Sequence, residues 1–292
     1  MDKIRIGVIG GSGFYKMEGI KIIEEKKIDT PFGKPSDNYI IGEISGKKVA
    51  FLSRHSRGHK ILPSEINYRA NIYGFKMLGV ERIISVSAVG SLKEEFKPLD
   101  MVIVDQFFDK TYKRESSFFG DGIVAHISFA EPTCPKMREI IYKTIKEMGL
   151  RVHQRGTYIN MEGPQFSTKA ESNTYRKLGF DIIGMTNVTE AKLAREAEIC
   201  YATIALVTDY DCWKEEEEGV TVEMVINNLN NNVKNAQNVL KKIIPLISEE
   251  RGSDCQCKDA LKYAIITGRE YITDSMIEKL NPIIGRYFKE EK

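Results

Sequence analysis

The stretch GMTNVTEAKLAREAEICYATIALVTDYDCW, residues 184–213, decides how the chain folds. Met185-Thr186 closes a short apolar run at 181–184 and opens an amphipathic helix. A second apolar run at 200–207 then ends on Thr208-Asp209-Tyr210-Asp211. Strand, helix, strand in that order builds α/β architecture. In an open α/β sheet, ligand groups gather beyond the carboxyl ends of the strands, which is where Thr186, Asp209 and Asp211 fall.

Working outward, apolar runs that read as strands occur at 4–9, 39–44, 48–53, 80–86, 101–104 and 157–161. Pro63 and Ser64 can open a helix through Ile66, Ala70, Tyr73 and Met77, ended by Gly79. Another helix starts near Pro135 and stops before Gly149. A long one runs from about Thr221, and its asparagine-rich stretch, NNLNNNVKNAQN, reads as a solvated face. The expectation is a single α/β domain over 1–292, with a central parallel or mixed β-sheet flanked by helices on both sides. The one boundary candidate, SEERGSDCQC at 248–257, sets off a C-terminal helical extension, 248–292.

Hydrophobic residues make up 42% and charged residues 29% of the chain, so a sizeable core can form. A net charge of +2 is too balanced for a general binder of nucleic acid or membrane surfaces. No run approaches the ~20 apolar residues of a membrane span, and no leader is legible. The expected setting is the cytoplasm. Five cysteines without a leader argue for reduced thiols. The Cys255-Gln-Cys257 pair reads as two surface thiols or as a redox pair. Zinc is disfavoured, because two ligands with no partner pair nearby do not make a site.

Four further segments carry chemistry. IRIGVIGGSGFY (4–15) ends a strand in a glycine loop that lacks the third glycine of a dinucleotide fingerprint but still offers amides and the Ser12 hydroxyl to an oxyanion. SRHSRGHK (53–60) groups Arg54 and His55 after a strand, either as a solvated basic turn or as an anion cradle with bidentate arginine and a donating imidazole. SVSAVGSL (85–92) is a strand ending in small residues. NMEGPQFSTKAES (160–172) combines an acid, a Gly-Pro turn, Phe166 and a helix start capped by Ser167 or Thr168. Phe166 reads either as a packed or lid ring or as a base-stacking one. The Asp209–Asp211 pair is open to glycosidase chemistry, metal binding, or recognition of an amine and a ring nitrogen.

Taken together, GVIGGSGFY, SRHSRGH, EGPQFSTKAES and the run from Met185 to Val225 resemble the signature blocks of the 5′-methylthioadenosine phosphorylase branch of the trimeric purine nucleoside phosphorylase family. The blocks stand in the family's order from residue 4 to about 265. The resemblance implies the nucleoside phosphorylase fold and a phosphate site formed by Ser12, Arg54, His55, the Ala88 amide and Thr186. It implies ribose over Met185, a purine stacked on Phe166, and Asp209 and Asp211 beside N6 and N7. Asp209, kept protonated by burial or by Asp211, would be the catalytic proton donor. Val222, Val225 and Ile226 can line a slot for the methylthio group, or simply pack. His126 would enter a neighbouring subunit's pocket, implying a homotrimer or a dimer of trimers. The partners implied are a small nucleoside and inorganic phosphate, with no cofactor and no metal. A 6-oxopurine nucleoside phosphorylase is the nearest alternative, and a non-catalytic Rossmann-like nucleotide binder is the alternative from another class. Gly184 stands where some members of the family carry a side chain.

Overall fold

The computed structural model of the chain describes residues 4–11, 14, 18–214, 222–248 and 250–288; side chains are not described at 222–226 and 229. The first half supplies β1 (Ile6–Gly10), β2 (Lys21–Lys26), β3 (Tyr39–Ile44), β4 (Lys47–Ser53), α1 (Tyr68–Met77) and β5 (Arg82–Ser91). Next come β6 (Met101–Ile103), β7 (Gln106–Asp109), α2 (Pro135–Glu147), β8 (Val152–His153) and β9 (Thr157–Asn160). The remainder gives α3 (Lys169–Lys177), β10 (Ile182–Gly184), α4 (Asn187–Glu196), β11 (Cys200–Asp209), α5 (Val222–Leu246) and α6 (Asp274–Ile284).

These strands form one mixed sheet in the order β2-β3-β4-β1-β5-β10-β9-β7, with β11 on β5 and β6, and β8 on β6. Alternation along each strand sends neighbouring residues to opposite faces. Ile6, Val8, Val49, Phe51, Ile84 and Ile204 meet Met137, Ile141 and Ile145 of α2 and Val239, Leu240 and Ile243 of α5. Ile9, Ala50, Leu52, Ile83 and Tyr201 meet Ile72 and Phe75 of α1, Ala191 and Ala194 of α4, and Leu280 and Ile283 of α6. The sheet is therefore covered on both faces, the expected α/β class with a mixed sheet. The C-terminal helix is part of that packing, with the Tyr73 hydroxyl donating to the Lys279 carbonyl at 2.7 Å.

One strand organises the rest. β11 pairs in parallel with β5 from Cys200↔Arg82 to Asp209↔Gly90 and so occupies one whole edge. The other edge is shared: β1 takes Ile6↔Arg82 to Ile9↔Ser85, and antiparallel β10 takes Gly90 and Ser91. Residues 86–89 of β5 thus face a gap between the end of β1 and the end of β10.

The long helix departs from expectation. Its asparagines are not all on a solvated face: Asn232 is buried and its Nδ2 donates to the Val207 carbonyl at 2.8 Å, while Asn228 Nδ2 donates to the Thr208 carbonyl at 2.9 Å. The register of β11 shifts between Val207 and Asp209; there Asn228 satisfies the Thr208 carbonyl and Asn232 joins the Leu99 amide on the Val207 carbonyl. The start of α1 is also corrected. Pro63 and Ser64 precede a turn in which the Glu65 carboxylate accepts the Leu62 amide, and Asn67 caps the helix by accepting from the Ala70 amide at 3.0 Å. The Val207 carbonyl also accepts the Leu99 amide at 2.9 Å, so replacing Asn232 with Ala removes one of two bonds to it and is expected to cost about 0.5–1.5 kcal/mol in urea unfolding. Replacing the exposed Asn231 should change stability by less than about 0.5 kcal/mol. Equal effects would show that the Val207 bond carries no weight.

Candidate active site

Three chain segments close on the gap in β5. The first is the end of β4: Gly10 pairs with Ser53, and the Arg54 amide donates to the Gly10 carbonyl at 2.9 Å, so the glycine loop and the Arg54-His55 turn lie side by side. Ser12 itself lies outside the described residues. The second is the N-terminus of α4, where Thr186 is the N-cap and is buried. Its hydroxyl does not cap the helix; Asn160 Oδ1 accepts the Val188 amide at 3.0 Å in its place. The third is the end of β11, carrying Asp209 and Asp211.

Arg54 is not the open bidentate donor that its sequence context suggests. It is buried, and Nε donates to Glu190 Oε1 at 2.5 Å and Nη2 to Glu190 Oε2 at 3.2 Å. Nη2 also donates to Ser85 Oγ at 2.6 Å, and Nη1 to the Val86 carbonyl at 3.0 Å. Glu190 further accepts the Ser85 and Tyr201 hydroxyls, each at 2.8 Å. Asn187 extends the network by accepting from Ser87 at 2.7 Å and donating to Ser85 at 2.8 Å. Because alternate strand residues direct their backbone groups to the same edge, Val86 and Ala88 both present theirs to the gap. The Ala88 amide therefore faces it, past the end of β1.

His55 sits at the mouth of this network. Its Nδ1 lies 2.8 Å from the Ile61 carbonyl, which can only accept, so Nδ1 carries the proton. Burial, with the charges of Arg54 and His59, lowers its pKa from 6.5 to about 4. The neutral ring then turns Nε2 outward as an acceptor. It is suited to receive a hydroxyl or a protonated phosphate oxygen, rather than to donate as its sequence context suggests.

Met185 is held from behind by a residue that sequence reasoning missed. Arg114 donates Nη1 to the Met185 carbonyl, Nη2 to the Glu162 carbonyl at 2.8 Å and Nε to Glu162 Oε1 at 3.2 Å. Glu162 also accepts the Ser64 hydroxyl at 2.6 Å and the Tyr112 amide at 2.8 Å. Burial opposes its charge, yet these donors and Arg114 hold its pKa below the usual carboxylate value. Gly184, where the family resemblance leaves a side chain open, is required to be glycine: an added Cβ would stand 2.0 Å from Tyr158 Oη.

The carboxylates lie at the far end of the same gap. A Cβ built on Gly90 would sit 3.2 Å from Asp209 Oδ1 and 3.4 Å from Asp211 Cβ. Asp209 accepts the Thr208 hydroxyl at 2.6 Å and the Asp211 amide at 2.8 Å. Its pKa is nonetheless raised, by burial first and then by the Asp211 charge. Asp211 is raised as well, again by burial. Cys212 Sγ donates to the Ser167 carbonyl at 3.2 Å, which brings the Phe166 loop beside this pair. The Phe166 ring is 81% exposed. Thr168, not Ser167, caps α3 in a reciprocal box with Glu171.

Asn228 draws α5 alongside Thr208, but the side chains of Val222, Val225 and Ile226 lie outside the described residues. His126 is exposed and stands apart from the gap; its amide donates to the Ala264 carbonyl at 2.8 Å. The group with metal-ligand spacing among the described residues is Cys134, Cys200 and Cys257, so the C-x-C pair is neither on the surface nor without partners.

Known proteins share this architecture. The model of the phosphorylase superfamily matches residues 5–245. An S-methyl-5′-thioadenosine phosphorylase of Koribacter versatilis is 55% identical over 287 residues, covering 98% of each chain. A methylthioadenosine phosphorylase structure from an antarctic soil metagenomic library superposes with a TM-score of 0.92 at 49% identity, covering 97% of this chain and 99% of that one. A variant of the adenosine/methylthioadenosine phosphorylase from Schistosoma mansoni, solved with methylthioadenosine, gives a TM-score of 0.79 at 38% identity, covering 85% of this chain and 93% of that one.

Two predictions come from the buried network. Glu190→Ala leaves the Arg54 charge without its partner and should cost about 3–5 kcal/mol of stability in urea or thermal unfolding. Wild-type stability in that variant would mean that water reaches the guanidinium. Separately, an NMR titration of His55 should give a midpoint near 4 rather than 6.5. Because the unfolded chain takes up that proton first, the contribution of His55 to stability is present above pH 6.5 and lost as pH falls towards 4. A midpoint near 6.5 would remove the neutral acceptor from the site.

Proposed function

The chain belongs to the phosphorylase superfamily, and from that premise we propose that it cleaves 5′-methylthioadenosine with inorganic phosphate, giving adenine and 5-methylthioribose 1-phosphate. The observation that carries the reading is the gap in β5, which sets anion-binding backbone at one end and two carboxyls with raised pKa at the other. A nucleoside and an anion can lie in line there.

In this reading phosphate lies against the glycine loop with Ser12, the Ala88 amide, Nε2 of His55 and the N-terminus of α4 at Thr186. Arg54 shapes that floor and contributes what positive field its pairing leaves. Ribose lies over Met185, and the purine reaches Asp209 and Asp211 under Phe166. A phosphate oxygen bonds to C1′ as the bond from C1′ to N9 breaks, and the positive charge that develops on the sugar is met by the phosphate. The adenine takes a proton at N7 from protonated Asp209, which regains it from solvent. Holding both reactants in one cleft removes much of the entropic barrier, with effective molarities of up to ~10⁵–10⁸ M. A carboxylate at the amino edge accepts from the 6-amino group and meets a 6-oxo group lone pair against lone pair, which selects adenine nucleosides. Val222, Val225 and Ile226 would receive the methylthio group.

Exposed Phe166 and His126 support an assembly in which a neighbouring copy covers the site, a homotrimer or a dimer of such trimers. No helix among the described residues is long and apolar enough to cross a membrane. Salvage of a small nucleoside places the chain in the cytoplasm, with no cofactor needed for the reaction.

The test is adenine release from methylthioadenosine, adenosine and inosine with and without phosphate. Methylthioadenosine should turn over fastest, and omission of phosphate should abolish release. Release that persists without phosphate would make the enzyme a hydrolase. Asp209→Asn should lower kcat by about 10²–10⁴-fold, the range of a lost general acid, at nearly unchanged phosphate KM. An unaltered kcat would remove Asp209 from the chemistry.

A further inference from the structure

Four of the five cysteines meet at one point, remote in sequence and outside the site described above. Cys134 is the N-cap of α2, Cys200 opens β11, and Cys255 and Cys257 flank the first turn of the C-terminal segment. The sulfurs of Cys134, Cys200 and Cys257 all lie within 4.8 Å of one another, and Cys255 Sγ is 3.4 Å from Cys200 Sγ. All four are buried in the apolar layer between the sheet and α2 and α5, and all are reduced.

We propose that these four thiols form a structural site for a thiophilic divalent cation, zinc, that fastens the C-terminal segment to the core. Zinc held by four thiolates at ~2.3 Å places neighbouring sulfurs ~3.8 Å apart; Cys134, Cys200 and Cys257 already approach that mutual spacing, and Cys255, which touches Cys200 from outside that group, would swing in as the fourth ligand. Three sulfurs in mutual proximity can share one central ion. Binding releases the thiol protons to solvent, and the free amides at the start of α2 stabilise the thiolate of Cys134. The residues joined are far apart along the chain, with Cys200 and Cys255 separated by 55 positions. Beyond Cys257 the chain pairs Ile265 with Ala125 and sends Leu280, Ile283 and Ile284 into the second core layer. The ion would therefore brace the segment against which the His126 loop is pinned.

The test is metal analysis of the full-length protein purified under reducing conditions, followed by removal and replacement of the ion. About one zinc per chain is expected, and cobalt in its place should give the intense thiolate-to-cobalt absorption of a tetrahedral sulfur site. Cys134→Ser and Cys257→Ser should each retain at least about tenfold less zinc, while Cys212→Ser retains it in full. Chelation should lower the Tm of the wild type. If the serine variants fail to fold, the cobalt spectrum of the wild type decides alone. Reduced protein that takes up neither zinc nor cobalt overturns the proposal. So does a purified chain carrying two disulfides, lighter by four hydrogens and indifferent to zinc. Either result leaves the phosphorolysis reading untouched.

Discussion

A guanidinium and a carboxylate shut away from water, Arg54 and Glu190, hold the functional end of this fold together. Neither is tolerable alone in that position, since an unpaired buried charge is far costlier than a paired one. Their pairing fixes the distance between the end of β4 and the first turn of α4. Ser85 and Tyr201 then tie β5 and β11 to the same carboxylate. Four elements from across the chain are registered by one ion pair and the hydroxyls around it. The bonds have to be made together, so the four elements reach their working positions as a unit.

That registration matters because β5 cannot be an ordinary interior strand. With β11 along one edge and β1 and β10 dividing the other, its middle is left with backbone groups and no neighbouring strand. Such an edge would be costly in a core. Here Arg54 takes one carbonyl and the remainder face a cleft, so the defect in the ladder is also the surface on which the proposed function relies. The bulge near the end of β11 is the complementary device. It sets Asp209 and Asp211 beside Gly90, and Asn228 satisfies the Thr208 carbonyl at the shift while Asn232 and the Leu99 amide share the Val207 carbonyl.

The strands that were legible in the sequence are those buried on both faces, such as β3, β4 and β11, because a short uninterrupted apolar run suits a strand covered by helices and does not suit a half-solvated helix. β2 was not legible: every residue of KIIEEK is exposed at the sheet edge, so burial imposes no pattern on it. β8 is two residues long and carries no periodicity. Asp209 and Thr186 stood out because they end a strand and begin a helix, positions where function concentrates. Glu190 and Arg114 did not, since NVTEAK and TYKRES look like any solvated helix and loop until the partners are brought close. The cysteine cluster was invisible for the same reason. Cys255-Gln-Cys257 looked incomplete because its partners are separated from it by a helix and most of the sheet.

The pairing of Arg54 also bears on how the proposed site would treat its anion. An open arginine beside phosphate would bind it strongly in the ground state, and binding shared equally by ground and transition states does not raise kcat. With its charge balanced by Glu190, the floor of the proposed site would offer dipoles, the N-terminal end of α4 and the Ala88 N–H. Such groups hold a dianion without neutralising it. Its negative charge then remains available to a sugar that becomes cationic only as the glycosidic bond opens. In the proposed reaction Asp209, raised by burial at the opposite end, would meet the complementary demand of a leaving base that becomes anionic at the same moment. On the proposed reading the one cleft separates charge along the reaction axis, and the buried ion pair would keep the phosphate end from being over-bound before the bond breaks.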